Sequence, residues 1–268
     1  MTLPPSTHQY GPVAQNLPKY LAKTGYKEPT ASETNNHSDS DPDGLTFFGR
    51  LQKTPKSFAD FTGHMEAWTA WKTPWTKIYN PIKLLTGARS LEKGSPLVVD
   101  VGGNTGTDIS HVLGALPADQ IPPGALVLQD LAEMIEKARA ALDPKSKPMA
   151  HDFFKPQPAE TRGARAYFLH AVLHDWPEAE AIRILGHLRE AMVAGYSKLF
   201  VYEVVVPATG ASISQTTMDV NMLALLSAAE RTRSQWEVLL GAAGFRIVKF
   251  WPDPQQYEML IEAEVAGG

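Results

Sequence analysis

Leu97-Val98-Val99-Asp100-Val101-Gly102-Gly103-Asn104-Thr105-Gly106-Thr107-Asp108 reads as a buried strand, a glycine-rich turn and the start of a helix. The run 97–101 is apolar and β-branched, as a central parallel strand requires. Gly102, Gly103 and Gly106 remove side chains where the backbone must turn tightly and where a ligand can approach it. Thr105 or Thr107 is expected to cap the helix, with the first-turn amides facing the ligand. The spacing is G-G-x-x-G rather than the G-x-G-x-x-G of a dinucleotide fingerprint, so it suggests a nucleoside without requiring a pyrophosphate. Taken alone, the turn also reads as a bare βα connection with no ligand.

Downstream, strands and helices alternate. A helix over 105–116 is followed by a strand over 125–129 that ends at Asp130. A helix over 132–142 and a short strand over 148–150 lead into His151-Asp152-Phe153-Phe154. The next strand spans 166–170, and Trp176-Pro177 opens another helix with proline in its favoured first position. A strand over 198–206, helices over 216–228 and 232–243, and two strands over 245–251 and 257–265 complete the pattern. The short loop Pro252-Asp253-Pro254-Gln255 makes those last strands an antiparallel hairpin. Repeated βα units imply a doubly wound parallel α/β sheet. A closing hairpin is unusual for dinucleotide dehydrogenases.

Upstream, residues 31–44 have almost nothing to bury, so a loop or disorder is expected there. A short helical turn is expected at 17–21, and Phe47 and Phe48 look like an anchor on a core. Residues 57–80 read as helix, with Phe58, Phe61, Met65, Trp68, Trp71 and Trp75 mostly three or four apart and Pro74 breaking the helix near its end. Such a stripe either packs as core or walls a pocket for a flat substrate. The expected division is a flexible connector over 1–45, a helical segment packing on the core over 46–92, and the ligand-binding domain over 93–268.

The 268 residues are 43% apolar and 20% charged, an ordinary globular composition. A net charge of −4 gives no electrostatic case for nucleic acid or acidic membranes. The absence of cysteine excludes disulfides, thiolate metal sites and thiol catalysis. No apolar run approaches the roughly 20 residues that span a bilayer. Met1-Thr2-Leu3-Pro4-Pro5 shows no signal-peptide pattern, and a cytoplasmic location is the default expectation.

Ligands of open α/β sheets bind beyond the carboxyl ends of the strands. The polar groups expected there are the glycine turn, Asp130, Asp152, His170, His174 and Glu203. Asp130 can accept hydrogen bonds from ribose hydroxyls or cap a helix. Asp152 and Phe153 can offer polar and apolar contacts to a purine. His170 and His174 have the i, i+4 spacing of a metal pair on a helix. Their stretch runs from strand to loop to helix with no third ligand at matching spacing, so no metal site is expected. His174, next to Asp175 and Trp176 at a strand's functional end, is placed as a general base.

Five motifs in order, D-V-G-G-N-T-G from Asp100, L-Q-D-L from Leu128, H-D-F-F from His151, L-H-D-W from Leu173 and A-E-R-T from Ala229, resemble the S-adenosylmethionine-dependent small-molecule O-methyltransferases of the plant caffeate type and their fungal polyketide-tailoring relatives. The resemblance runs from about residue 45 to residue 265. It implies a Rossmann-like class I methyltransferase fold: a seven-stranded, mostly parallel sheet with a terminal antiparallel hairpin, preceded by an irregular, helical extension. It implies S-adenosyl-L-methionine as cofactor, with Gly102 and Gly103 against its methionine part, Asp130 on the ribose, and Asp152 and Phe153 bracketing the adenine. His174 would be the catalytic base, oriented by Glu203 and Glu230, and Met222 would pack near the substrate with Asp175 and Trp176. His170 stands where the family commonly has lysine or arginine near the cofactor. Asn104 replaces a glycine, and asparagine is the side chain that best tolerates a positive φ.

The resemblance also implies an N-terminal winged-helix module that makes the dimer and completes the pocket, most of which has no counterpart in this sequence. A homodimer or a heteromer is therefore left open. Three functions follow: an O-methyltransferase on a phenolic or polyketide-like aromatic acceptor; an enzyme of the same fold doing pericyclic, decarboxylating or hydroxylating chemistry with the cofactor bound; or a non-catalytic partner of a related enzyme.

Overall fold

The computed structural model describes residues 6–88, 94 and 96–267. Residues 1–5, on which the reading of the N-terminus rests, and the 92/93 boundary lie outside them. Among the described residues, six helices precede the sheet: α1 (Ser6–Lys23), α2 (Asn36–Ser40), α3 (Phe47–Lys53), α4 (Pro55–Ala70), α5 (Trp75–Ile78) and α6 (Ile82–Leu85). Then follow β1 (Val98–Val101), α7 (Thr107–Ala115), β2 (Leu126–Asp130), α8 (Ala132–Ala138), β3 (Ser146–Ala150), β4 (Ala166–His170) and α9 (Glu178–Ala191). The chain continues with β5 (Lys198–Val206), α10 (Ile213–Leu226), β6 (Arg231–Thr232), α11 (Arg233–Ala242), β7 (Phe245–Pro252) and β8 (Glu258–Val265).

The strands run in the order β3-β2-β1-β4-β5-β8-β7, the seven-strand path expected, and the two-residue β6 adds a parallel pair on β5. Strands β1 to β5 are parallel, and β8 lies antiparallel between β5 and β7. The period-2 alternation of a strand sends successive side chains to opposite faces. Val99, Val101, Tyr167, Leu169, Leu199 and Val201 join one core with α9 and α11. Val98, Phe168, Phe200 and Tyr202 join the other with α5, α7 and α8. Because β1 has β2 on one side and β4 on the other, the winding reverses at β1. The crevice that this reversal opens at the carboxyl ends of β1 and β4 positions the site.

Three expectations upstream of the sheet are corrected. Residues 31–44 are not a loop without burial: they carry α2, and Asn35, Asn36 and His37 are buried. The Asn36 amide donates to the carbonyl oxygens of Val13 and Ala224, tying α1 to α10, while Asn35 caps α2. Polar side chains are buried here because they satisfy backbone groups, which a count of apolar residues does not register. The helical turn at 17–21 is the end of an 18-residue helix. The aromatic stripe is divided rather than continuous, because α4 ends at Ala70 and Pro74 precedes a separate α5. Phe58, Phe61 and Met65 line a cavity, Trp71 is 81% exposed, and Trp75 is fully buried, stacked on Phe168 at 4.8 Å.

Candidate active site

The turn after β1 is built as its composition requires. Gly102 and Gly106 have φ of 72° and 88°, and Asn104 takes 54°. The amides of Gly102 and Gly103 both donate to the carbonyl oxygen of Gln129. A Cβ on Gly102 would lie 3.0 Å from Val172 and 3.6 Å from the Phe153 ring, and one on Gly103 would lie 2.5 Å from the Asp100 carboxyl. Neither Thr105 nor Thr107 caps α7: Gly106 holds the cap position and has no side chain to bond the first-turn amides.

A cavity of about 390 Å³ lies over this turn, within the roughly 300–1,000 Å³ usual for small-molecule sites. Gly102, Gly103, Asp130, Asp152, Phe153, His170, Asp175 and Trp176 all line it. Its opposite wall is Phe48, Leu51, Phe58, Phe61 and Met65 from the N-terminal helices. Asp130 accepts one amide on each oxygen, from Asn104 at 2.8 Å and from Leu131 at 2.7 Å. A carboxylate has about four lone-pair sites, so acceptor capacity remains for a diol. Asp130 is not the cap of α8; Leu131 holds that position without a side-chain bond. Trp176 stacks on Phe48 at 5.6 Å and meets the edge of Phe154 at 4.6 Å, which makes a flat aromatic wall. The glycine turn, the acidic strand end and the aromatic wall fit a nucleoside: each component it needs is present in one cavity.

His174, Glu203 and Glu230 converge beside this cavity but do not line it. Nδ1 of His174 is 2.8 Å from Glu230 Oε1 and 3.9 Å from Glu203 Oε2, and its Nε2 is 3.5 Å from Asp175 Oδ1. Glu203 spends its other oxygen on the amides of Val172 and Leu173, at 2.9 and 2.8 Å. That bond supports Ala171, whose φ of 51° is unfavourable for alanine and costs about 1–3 kcal/mol. Glu203 therefore shapes the loop that carries His174, while Glu230 contacts the ring itself. One ligand atom from each of the three lies within 4.8 Å of the others, a spacing that a metal ion could bridge. The Nδ1–Glu230 bond uses Oε1 of Glu230 and the two amides use Oε1 of Glu203, while Oε2 of each carboxylate is buried with no hydrogen-bond partner among the described residues.

Burial pulls the His174 pKa down, but Glu230, Glu203 and Asp175 outweigh it and hold the ring well above the ordinary histidine range. Burial pushes the Asp175 carboxyl up to about 7, against the His174 charge. Met222 sits in the apolar cluster of Val13, Phe47, Leu51 and Leu225 rather than on the cavity.

His170, at the end of β4, meets Asp108 Oδ2 through Nδ1 at 2.7 Å and faces Glu258 Oε2 through Nε2 at 3.5 Å. Burial opposes its charge, yet these two carboxylates push its pKa up to about 10. The positive charge expected of lysine or arginine is thus kept by an imidazolium. Burial also opposes the Asp108 carboxylate, and His170 with His111 offsets it and holds the group at about 2. The His170 pKa lies above its unfolded value of about 6.5, so this stabilisation is complete below that pH and is lost as pH rises through about 10. Urea unfolding of the parent and of His170→Gln should therefore differ most near pH 6 and converge at alkaline pH.

Four residues that the motifs did not single out hold this arrangement. Asp108 and Glu258 bracket His170. Asp219 accepts the Glu230 amide at 2.9 Å. Arg231, 2% exposed, bonds the carbonyls of Leu173 and Trp176 and the Glu178 carboxylate, each at 2.8 Å, and so pins both ends of the His174 turn. Arg231→Ala should destabilise by about 1–3 kcal/mol for each buried acceptor left unpaired, measurable as a lower denaturant midpoint at unchanged slope. The A-E-R-T motif contains Arg231, but its partners lie 53 to 58 residues away, beyond the reach of any local pattern.

These features define a class: a Rossmann-like α/β protein with a nucleoside-sized site at the winding reversal and a histidine held by carboxylates beside it. The family description "O-methyltransferase domain" matches residues 78–246. The chain is 44% identical over 250 residues to O-methyltransferase ATR12 of Stachybotrys chlorohalonatus, covering 93% of this chain and 61% of that protein. It is 36% identical over 251 residues to O-methyltransferase mfmE of Annulohypoxylon moriforme, covering 93% and 60%. Among solved structures it resembles OxaC with sinefungin and meleagrin, at 27% identity and a TM-score of 0.86, covering 97% of this chain and 65% of that one. It also resembles LepI with SAM, at 26% identity and a TM-score of 0.81, with the same coverage. The chain belongs to the O-methyltransferase-domain family. It spans about 60% of the length of the curated relatives it matches. Among the described residues, no helix is long and apolar enough to cross a membrane.

Proposed function

We propose that the protein transfers a methyl group from S-adenosyl-L-methionine to a hydroxyl of an aromatic small molecule, with a phenolic or polyketide-like acceptor. The observation that carries this reading is the His174–Glu230 contact of 2.8 Å beside a cavity built from the glycine turn, Asp130 and Phe153. Asp130 holds the ribose, Gly102 and Gly103 admit the methionine part, and Asp152 and Phe153 bracket the adenine. The cofactor supplies a methyl group already activated by a sulfonium. His174 Nε2 takes the acceptor's hydroxyl proton, and Glu230 keeps Nδ1 protonated and the ring oriented. Phe58 and Phe61, on the cavity wall, exclude water from it. Alignment of the two reactants supplies the larger share of the acceleration, since well-oriented pairs gain roughly 7–11 kcal/mol.

A second reading is chemistry without methyl transfer. It is favoured by the His170 pKa of about 10 and by the carboxylates that raise the His174 pKa, which suit holding or donating a proton better than accepting one. A solved structure described as a pericyclic reaction enzyme also resembles the chain at 25% identity and a TM-score of 0.82.

Calorimetric titration with S-adenosylhomocysteine, followed by incubation with methyl-labelled cofactor and a panel of phenols, separates the two. Binding with label in product supports methyl transfer. Binding with conversion of a substrate but no label supports the second reading. Absence of binding removes both.

A further inference from the structure

Lys72 lies in the connection between α4 and α5, and its ammonium is almost fully withdrawn from water, with the side chain 8% exposed. It is 4.1 Å from the Trp68 ring centre and 3.7 Å from that of Tyr257, a clamp of two aromatic faces. Its Nζ donates to Glu258 Oε1 at 2.9 Å. The other oxygen of Glu258, itself 2% exposed, faces His170 at 3.5 Å. One buried carboxylate thus joins a cation outside the cavity to a cation on its wall.

We propose that Lys72 is a positioning residue of the candidate site: through Glu258 it fixes the orientation and the charge of His170, and so the affinity of the cavity for its nucleoside ligand. The proposal rests on the reading of the cavity as the S-adenosylmethionine site. A buried carboxylate retains its charge only when it is paired. Burial pushes Glu258 up, and His170 together with Lys72 outweighs that and leaves it below the usual glutamate range. Without Lys72, Glu258 would lose the smaller of the two cationic contacts that hold it ionised, and its pKa would rise. A protonated Glu258 no longer offers His170 an ionised partner, which leaves the ring held on the Asp108 side only.

The groups facing this relay are few and come from every element packed on it. Asp108 reaches His170 from α7. On β1, burial and the Asp108 charge push the Asp100 carboxyl well above the usual carboxylate range, against the His170 charge. The Tyr202 ring packs on His170 from β5, with centres 4.6 Å apart and the planes tilted by 32°. Burial pulls the Lys72 pKa below the usual lysine value, and Glu258, with the fields of Asp253 and Glu230, opposes that pull. Because Glu230 is the partner of His174, Lys72 is linked electrostatically to both histidine sites.

The test uses NMR of histidine-labelled protein across a pH series, together with S-adenosylhomocysteine titration. In Lys72→Met the His170 ring signal is expected to acquire a titration step, from Glu258, at a pH where the parent shows none. In Lys72→Arg the step is absent, because the cation is retained. Adding Glu258→Gln to Lys72→Met removes the step, since no carboxyl remains to take the proton. S-adenosylhomocysteine binding should weaken by about 2- to 30-fold in Lys72→Met, the range for residues that act on a site without touching the ligand. If Lys72→Met does not fold, Glu258→Gln alone reads the same link, with an expected fall in the His170 titration midpoint. A His170 titration unchanged in both variants overturns the proposal. If the parent fails to bind S-adenosylhomocysteine while the His170 step appears, the positioning role stands and the cofactor reading fails.

Discussion

Replacing His174 with alanine is expected to reduce methyl transfer by about 100- to 10,000-fold, the usual worth of a positioned general base, while S-adenosylhomocysteine binding changes little. The separation follows from geometry, because His174 stands beside the cavity and does not line it. A pH profile adds a sharper reading. The neutral ring is the form that accepts a proton, and the carboxylates around His174 raise its pKa well above the ordinary value. Activity should therefore climb through neutral pH and level off only on the alkaline side. Glu230→Gln removes the contact of 2.8 Å and lowers that pKa, so the rising limb should move to lower pH as the maximal rate falls. Single-turnover rates measured across pH for the parent and both variants check this. A His174→Ala protein that turns over at the parent rate, or a Glu230→Gln limb that does not move, contradicts the assigned roles.

Gly103→Ala is expected to abolish cofactor binding and to destabilise the fold. The added Cβ would lie 2.5 Å from the Asp100 carboxyl and 2.6 Å from Leu128, both buried in the layer beneath the turn. Neither is the free end of a flexible surface chain, so the backbone of the turn must move. Overpacking of this kind costs about 1–3 kcal/mol. The displacement also breaks the pair of amide bonds from Gly102 and Gly103 to Gln129 that sets the cavity floor. Gly114→Ala is the control, because a Cβ there meets nothing within 4 Å. Thermal unfolding with and without S-adenosylhomocysteine checks both parts: ligand should raise the midpoint of the parent and of Gly114→Ala, and leave Gly103→Ala unmoved.

Much of this architecture was legible in the chain because the determinants are local. The continuously buried apolar runs along 98–101, 166–170 and 198–206 and the glycine turn at 102–106 are patterns within a few residues of one another. They were enough to place the sheet, its winding and the hairpin. The same locality placed Asp130, Asp152, Phe153, His170 and Asp175 on one cavity, since each stands at or just beyond a strand's carboxyl end. The errors also have a common cause. The segment 31–44 was judged by apolar content, whereas Asn36 is buried by two backbone acceptors from α1 and the end of α10. Thr105 and Thr107 were judged by cap preference, whereas the left-handed Gly106 occupies the cap.

What the sequence by itself determined is the doubly wound sheet and the set of polar residues at its rim, because hydrogen-bonding periodicity and turn stereochemistry act over short spans of chain. What the tertiary structure alone decided is the charge on those residues. Asp108 and His170 are 62 residues apart, and Lys72 and Glu258 are 186 apart. Such pairs form only when the sheet closes and water is excluded, and the energy of a buried charge depends on the neighbours that closure supplies rather than on the residues beside it in the chain.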